Sequence, residues 1–265
     1  MSRLRTLVGK ELLDLRRNRA ALVPVVLVMM LSIAVGFGVA VAAPALSGHP
    51  LSEDSGLVRI SEKAAPPDAA LSADARAQLF LFQQFLLLFV ITPITGAMSL
   101  AAHAIVGEKQ ARTLEPLLAT PITTIELLVA KIFGALLPTF GISLAGFALY
   151  FAGIAAFGQP GVVSAMATAR TALLVLGVGP AAALVSLQAA VVISSRVNDA
   201  RTAQQFAILI IVPLTGVFVA QFNGTFWLTA TTLSLTALAL FGVWVLLVLF
   251  SAALFERESI LTRWR

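Results

Sequence analysis

Six long apolar runs constrain this chain more than any other feature. A helix crossing about 30 Å of hydrocarbon needs about 20 mostly apolar residues. Runs of that kind lie at Leu22–Ala42, Leu79–Val106, Ile132–Phe157, Thr171–Ile193, Ala203–Phe222 and Leu228–Phe255. The fifth is the least regular, because Gln204 and Gln205 open it and Asn223-Gly224-Thr225 follows it closely. Hydrocarbon cannot hydrogen-bond a free peptide group, so such runs must satisfy their backbones internally, as helices. With 59% hydrophobic and only 12% charged residues in 265, the chain lies far from the soluble range. The predicted fold class is an all-α membrane protein, with residues 22–265 forming a six-span transmembrane domain.

Charge orients the spans, since basic residues are retained on the cytoplasmic side. All but four of the 18 lysines and arginines fall before the first run, between the second and third, between the fourth and fifth, or after the sixth. The exceptions are Arg59, Lys63, Arg76 and Arg170. Both termini are therefore expected in the cytoplasm, in a multi-pass protein of a cytoplasmic membrane. The net charge of +5 is explained by this topology, because the basic residues sit beside spans and form no extended stripe for nucleic acid. The lipid bilayer is the expected surroundings. The first run is longer than the core of a cleaved signal peptide, so it reads as a span.

Composition also removes whole classes of chemistry. There is no cysteine, hence no disulfide, thiolate nucleophile or cysteine-ligated metal. The two histidines, His49 and His103, are separated by a predicted span, which argues against a metal cluster. No G-x-x-x-x-G-K-[ST] phosphate loop occurs. The external loop 43–78 is rich in Pro, Ser, Ala and Asp, and is expected to be a flexible or lightly folded cap. No internal repeat is evident.

Two cytoplasmic segments carry pattern. In residues 1–21, Leu4, Leu7, Val8, Leu12 and Leu15 recur at helical spacing among arginines and Lys10, which predicts an amphipathic helix at the membrane surface. The segment 107–131 is too polar to cross lipid. Pro116 suits the start of a short helix with Leu114, Leu117 and Leu118 as an apolar face, and Pro121 stops it. Thr123 and Glu126 match a capping box that would start the helix of the third span. The result is a short projecting knuckle, rimmed by Glu108, Lys109, Arg112 and Glu115, with the chemistry of a helix that docks in a partner's groove.

Within the spans, Gln83, Gln84, Gln188, Gln204, Gln205 and Gln221, with Thr92 and Thr95, should face protein or a water-filled path. Interhelical hydrogen bonding is the ordinary reading of such residues. A role in lining a pathway is the alternative, chiefly for Gln83, Gln84, Thr92, Gln204 and Gln205. Pro93, Pro138, Pro180 and Pro213 are expected to kink their helices, and Pro93 to interrupt one.

The wording of these segments resembles the ABC-2 type permeases, the membrane subunits of a class of ATP-binding cassette exporters. Gly107-Glu108-Lys109, then Arg112-Thr113-Leu114-Glu115 and Leu117-Leu118-Ala119-Thr120-Pro121-Ile122, is similar to that family's loop after its second span. Lys10-Glu11-Leu12 with Asp14 and Arg16-Arg17 is similar to its elbow helix, and Ser195-Arg196-Val197-Asn198-Asp199 to its loop between spans four and five. The resemblance covers nearly the whole chain apart from the external loop. It implies a type V exporter-like fold in a prokaryotic membrane, with two six-span subunits, either two copies of this chain or one with a related permease. It implies two separate ABC ATPase subunits underneath, which would hold ATP and magnesium, while this chain binds no cofactor and catalyses nothing itself. The segment 107–131 would be the coupling helix, and a rigid-body rocking of the spans would follow ATPase closure. An ion-coupled secondary transporter or channel is the rival reading, though no charged residue falls at the expected midplane. An intramembrane enzyme would need converging acid and base groups, which the spans lack.

Overall fold

The structure, a computed structural model, describes residues 6–10, 12–13, 22–62, 70–110, 124–196, 208–225 and 227–254. Among these the chain is helical throughout, without strands. Helix α1 spans Val23–Ser47, α2 Ser55–Ser61, α3 Ala73–Leu88, α4 Ile91–Gln110 and α5 Thr124–Phe157. Helix α6 spans Val162–Met166, α7 runs from Ala169 to Arg196, α8 spans Ile208–Phe222 and α9 Ala230–Leu254. Among the described residues five stretches are long and apolar enough to cross a membrane: α1, α3 with α4, α5, α7 and α9. Helix α8 is the described part of the fifth predicted span and is shorter.

The arrangement places α3 and α4 at the centre. Helix α4 packs along α7, α5 and α1, while α9 packs along α7 at the rim. Two clusters of buried side chains follow from this. The larger gathers Leu79, Phe80, Phe82, Phe85, Tyr150 and Met166 with their neighbours, and the smaller joins Met98 and Leu100 of α4 to Ile132 of α5 and Leu187 of α7.

Close helix approach depends on small residues, as expected where lipid supplies no hydrophobic drive between helices. A Cβ on Gly146 of α5 would come within 2.5 Å of the Met29 side chain, and one on Gly153 within 2.6 Å of the Phe37 ring. So α1 lays Met29 and Phe37 into two glycine notches one heptad apart on α5. Tyr150, between those notches, is fully buried and donates its hydroxyl to the Phe82 carbonyl at 3.0 Å. Its ring meets Phe37, Phe82 and Phe89 at centroid distances of 5.5, 5.6 and 4.9 Å. The spacing lies within the favourable range for aromatic pairs.

Prolines shape three of the spans in different ways. Pro93 cannot donate to the Phe89 carbonyl and its ring crowds that group. The second span accordingly breaks at Phe89 and Val90, where Phe89, Val90 and Thr92 donate three residues back instead of four. This is the interruption expected at Pro93. In α1 and α7 the chain widens into π-helical turns, at Gly38–Ala42 and Leu173–Val178, each ending two residues before a proline, Pro44 and Pro180. Pro44 leaves the Ala40 carbonyl without its usual donor, and the buried Gln78 of α3 supplies one at 3.1 Å. Pro138 and Pro213 stay inside continuous helices.

The region between the first two spans differs from the sequence expectation. Helix α1 continues to Ser47 and α3 begins at Ala73, so the connection is shorter than 43–78 and contains α2. Asp54 caps α2 by accepting from the amides of Gly56 and Leu57 at 2.9 and 3.0 Å, and Ser72 caps α3 through the amide of Ala75. Leu51, Leu57 and Ile60 pack against the main core. The cap thus folds on the bundle's core instead of building its own.

Candidate functional site

Two candidate regions lie at opposite ends of the bundle. The first is the segment between the second and third spans. Gly107 and Glu108 lie on the last turns of α4, whereas Arg112, Thr113, Leu114, Glu115, Leu117, Leu118 and Pro121 lie outside the described residues. Helix α5 begins at Thr124, the first residue after the proposed cap Thr123, and runs to Phe157 without interruption. At 1.5 Å per residue that is about 51 Å, well beyond the span of a bilayer core. Helices α4 and α5 pack side by side, so residues 111–123 join two adjoining rods. Of the elbow positions, Lys10 falls in the helical residues 6–10, while Glu11, Asp14 and Arg17 lie outside the described residues. Gln204 and Gln205 lie outside them too.

The second region is the other end of the bundle, where the loop ends of α1, α3, α5, α7 and α8 converge. Gln78 bridges three of these elements: besides the Ala40 carbonyl, its Oε1 accepts from the Gln159 amide at 2.6 Å. Asp74 accepts from the Ser52 amide at 2.8 Å, and His49 pairs with Glu53 at 2.8 Å. A cavity of about 470 Å³ lies between the end of α1 and the start of α3, with Val41, His49, Asp74 and Phe157 among its lining.

Arg170 occupies the first turn of α7, which Thr168 caps through the Thr171 amide. Its Nη1 donates to Gln83 Oε1 of α3 at 3.1 Å. With the Gln221 amide turned so that its oxygen faces the available donors, that oxygen accepts from Arg170 Nη2 at 3.1 Å and from the Leu228 amide at 3.0 Å. The turn that brings Leu228 back over α8 is fixed by Asn223-Gly224-Thr225. Gly224 has φ +69°, its amide bonds the Gln221 carbonyl at 2.9 Å, and the Thr225 amide bonds the Ala220 carbonyl at 3.0 Å. This is the paired pattern of a Schellman cap, which calls for glycine at the left-handed position. The arginine therefore ties α3, α7 and α8 together.

The polar residues of the spans divide into two groups. Gln83, Gln221 and Gln188 make interhelical hydrogen bonds, the last by donating to Ser251 of α9. Thr95 bonds back to the Ile91 carbonyl of its own helix. Gln84 and Thr92, by contrast, are fully buried, and among the described residues neither the Gln84 amide nor the Thr92 hydroxyl has a hydrogen-bond partner. The sequence reading passed over Tyr150, Gln78 and Ser251. Tyr150 and Ser251 lie inside predicted runs as polar-tipped residues, whereas Gln78 is the last residue of the predicted loop 43–78, where nothing marks it as buried.

The folded chain is a multi-pass helical membrane protein with polar side chains turned inward and leucines turned out. It belongs to the ABC-2 family of transporter proteins, whose sequence pattern matches residues 5–232. The match includes the cap between the first two spans and stops near the start of α9, so it covers the cap that the resemblance had left out and not the last span. A comparison with curated proteins finds no match. Membership makes the chain a membrane permease of an ABC transporter, the partner of ABC ATPase subunits.

Proposed function

We propose that this permease couples ATP hydrolysis on a pair of separate ATPase subunits to export of a substrate across the cytoplasmic membrane of a prokaryote. The observation that carries the reading is the uninterrupted helix α5, joined by residues 111–123 to the adjoining rod α4. A push delivered at the join travels along the continuous helix α5, while the break at Phe89 and Val90 gives the second span a place to bend. In this reading Leu114, Leu117 and Leu118 dock in the ATPase groove, Arg112 and Glu115 set the register, and Pro121 ends the docking helix. Gly107, Glu108 and Thr113 complete the segment. Lys10, Glu11, Asp14 and Arg17 form a second contact on the elbow. ATP and magnesium sit on the ATPases. A second copy of this chain, or a related permease, faces it across the pathway, with both termini of each in the cytoplasm. Gln204 and Gln205 border that pathway, and Gln83, Gln84 and Thr92, buried in the resting bundle, would reach it only as the spans rock apart.

The test is the double substitution Leu117→Glu, Leu118→Glu in the tagged chain, purified in mild detergent with its ATPase. The variant is expected to insert and elute as the parent does, but to lose the ATPase and ATP-dependent transport. Retention of both would remove the segment from its coupling role.

A further inference from the structure

We propose that Arg170 and its surroundings form a receptor for the anionic headgroup of an amphiphile, a carboxylate or phosphate carried on an apolar body. This deepens the exporter reading and rests on it for the claim that the amphiphile is cargo. A guanidinium has five N–H donors. Two go to neutral amide oxygens, of Gln83 and Gln221, and among the described residues no carboxylate pairs with Arg170. Of the described acids at this end, Glu53 pairs with His49, Asp54 caps α2, Asp74 accepts from the Ser52 amide, and Glu62 is exposed at the end of α2. Cations within membrane spans are costly and are ordinarily matched by an anion or by water.

Two groups that neighbour Leu228 and Gln83 in the chain are also unmatched among the described residues. Trp227 precedes Leu228 in the chain and keeps its indole Nε1 buried without an acceptor. Its ring lies 6.1 Å from that of Phe80, and one helical turn further along α3 is Gln84, fully buried with both amide atoms unpartnered. Leaving such groups unsatisfied is unfavourable, and an oxyanion beside Arg170 would engage the guanidinium donors that the two amides do not use and neutralise the arginine. The narrow crevice at Arg170, about 10 Å³, is at the lower limit for a single oxygen, so a headgroup would enter by its tip, and Gln83, Thr171, Leu87, Leu174 and Leu233 are among its lining besides the arginine. A fully hydrophilic anion would meet mostly leucine there. An acidic head on an apolar body suits both parts.

The experiment uses the full chain with Trp244→Phe and Trp264→Phe, so that Trp227 is the remaining indole, in bilayer discs of phosphatidylcholine. Bromododecanoate, whose bromine quenches a nearby indole, is titrated against the bromododecyl alcohol of the same length. The acid is expected to quench saturably at about a tenfold lower concentration than the alcohol, the difference a charge-assisted bond makes. Arg170→Gln should erase that difference and Arg170→Lys should restore part of it. Equal quenching by acid and alcohol would overturn the proposal and leave Arg170 as a clamp between helices. On the chain with all its tryptophans, unbrominated dodecanoate should raise the unfolding temperature more than dodecanol, and equal shifts would overturn the proposal without any variant. Discs containing brominated phosphatidylglycerol separate the sources: quenching there but not by the free acid would assign the headgroup to a lipid. Retention of the ATPase by a chain that does not prefer the acid would sink the receptor alone, and an acid preference without an ATPase partner would sink the exporter alone.

Discussion

The second and sixth spans invert the usual relation between hydropathy and burial. The stretch Ala73–Ala101 has a mean hydropathy of 1.8 and is 83% buried, whereas Ala230–Ser251 has a mean hydropathy of 2.5 and is 6% buried. In water the more apolar helix would be the inner one. In a bilayer lipid is as apolar as leucine, so an apolar side chain gains little by turning inward, and polar groups are what must find protein. Gln78, Gln83, Gln84, Thr92 and Ser99 draw α3 and α4 to the centre, while Leu235, Leu238, Leu246 and Leu249 leave α9 on the rim. The polar residues in a run thus indicate centrality better than its hydropathy does.

The comparison can be broken most directly with glycine. A side chain on Gly96 of α4 would collide with Thr139 and Val25, while Gly242 of α9 has nothing within 4 Å. Gly96→Leu should destabilise by about 3 kcal/mol, and Gly242→Leu by less than about 0.5 kcal/mol, in detergent-titrated unfolding. Equal losses would mean that the centre and the rim are packed alike. Next in size is Gln78→Leu, which leaves the Ala40 carbonyl and the Gln159 amide without their partner and should lower stability by about 2 kcal/mol. If it stabilises instead, the centre does not need its polar groups.

Tyr150→Phe keeps the ring contacts and removes only the bond to the Phe82 carbonyl, so a loss of about 1 kcal/mol is expected by the same measurement. The smallest effect sharpens the picture at the junction of the two regions. Gln188 of α7 donates to Ser251, the buried serine by which α9 is held. A double-mutant cycle of Gln188→Leu with Ser251→Ala should give a coupling of about 0.6 kcal/mol. Zero coupling would mean that α9 is held by apolar contact alone.

Much of this was legible in the chain. The apolar runs located the five long spans and α8, and Pro93 marked the break in the second. Thr123 anticipated where α5 starts, and Asn223-Gly224-Thr225 where α8 stops. These signals are local: a span needs its own length of apolar residues, a proline lacks its own amide, and a cap acts within one turn. The candidate sites were legible unevenly. The docking knuckle rests on sequence, because Arg112 to Pro121 lie outside the described residues. Gln83 and Gln84 read alike as neighbouring polar residues in one run, yet one bonds Arg170 and the other has no partner among the described residues. Two adjacent positions on a helix differ by about 100°, and what each meets is set by other helices.

By itself, then, the sequence determined that the chain crosses a membrane repeatedly, where most of its spans begin and end, and to which transporter family it belongs. Tertiary structure alone decided that the least apolar of the long spans is the hub, that Met29 and Phe37 enter glycine notches on α5, and that Gln78 serves a carbonyl freed by Pro44. It also set Arg170 of α7 between Gln83 of α3 and Gln221 of α8. The physical reason is one of range. Hydropathy and capping act over a single span or turn, whereas a partner for a carbonyl, an amide or a guanidinium is supplied by a residue dozens of positions away that only folding brings within hydrogen-bonding distance.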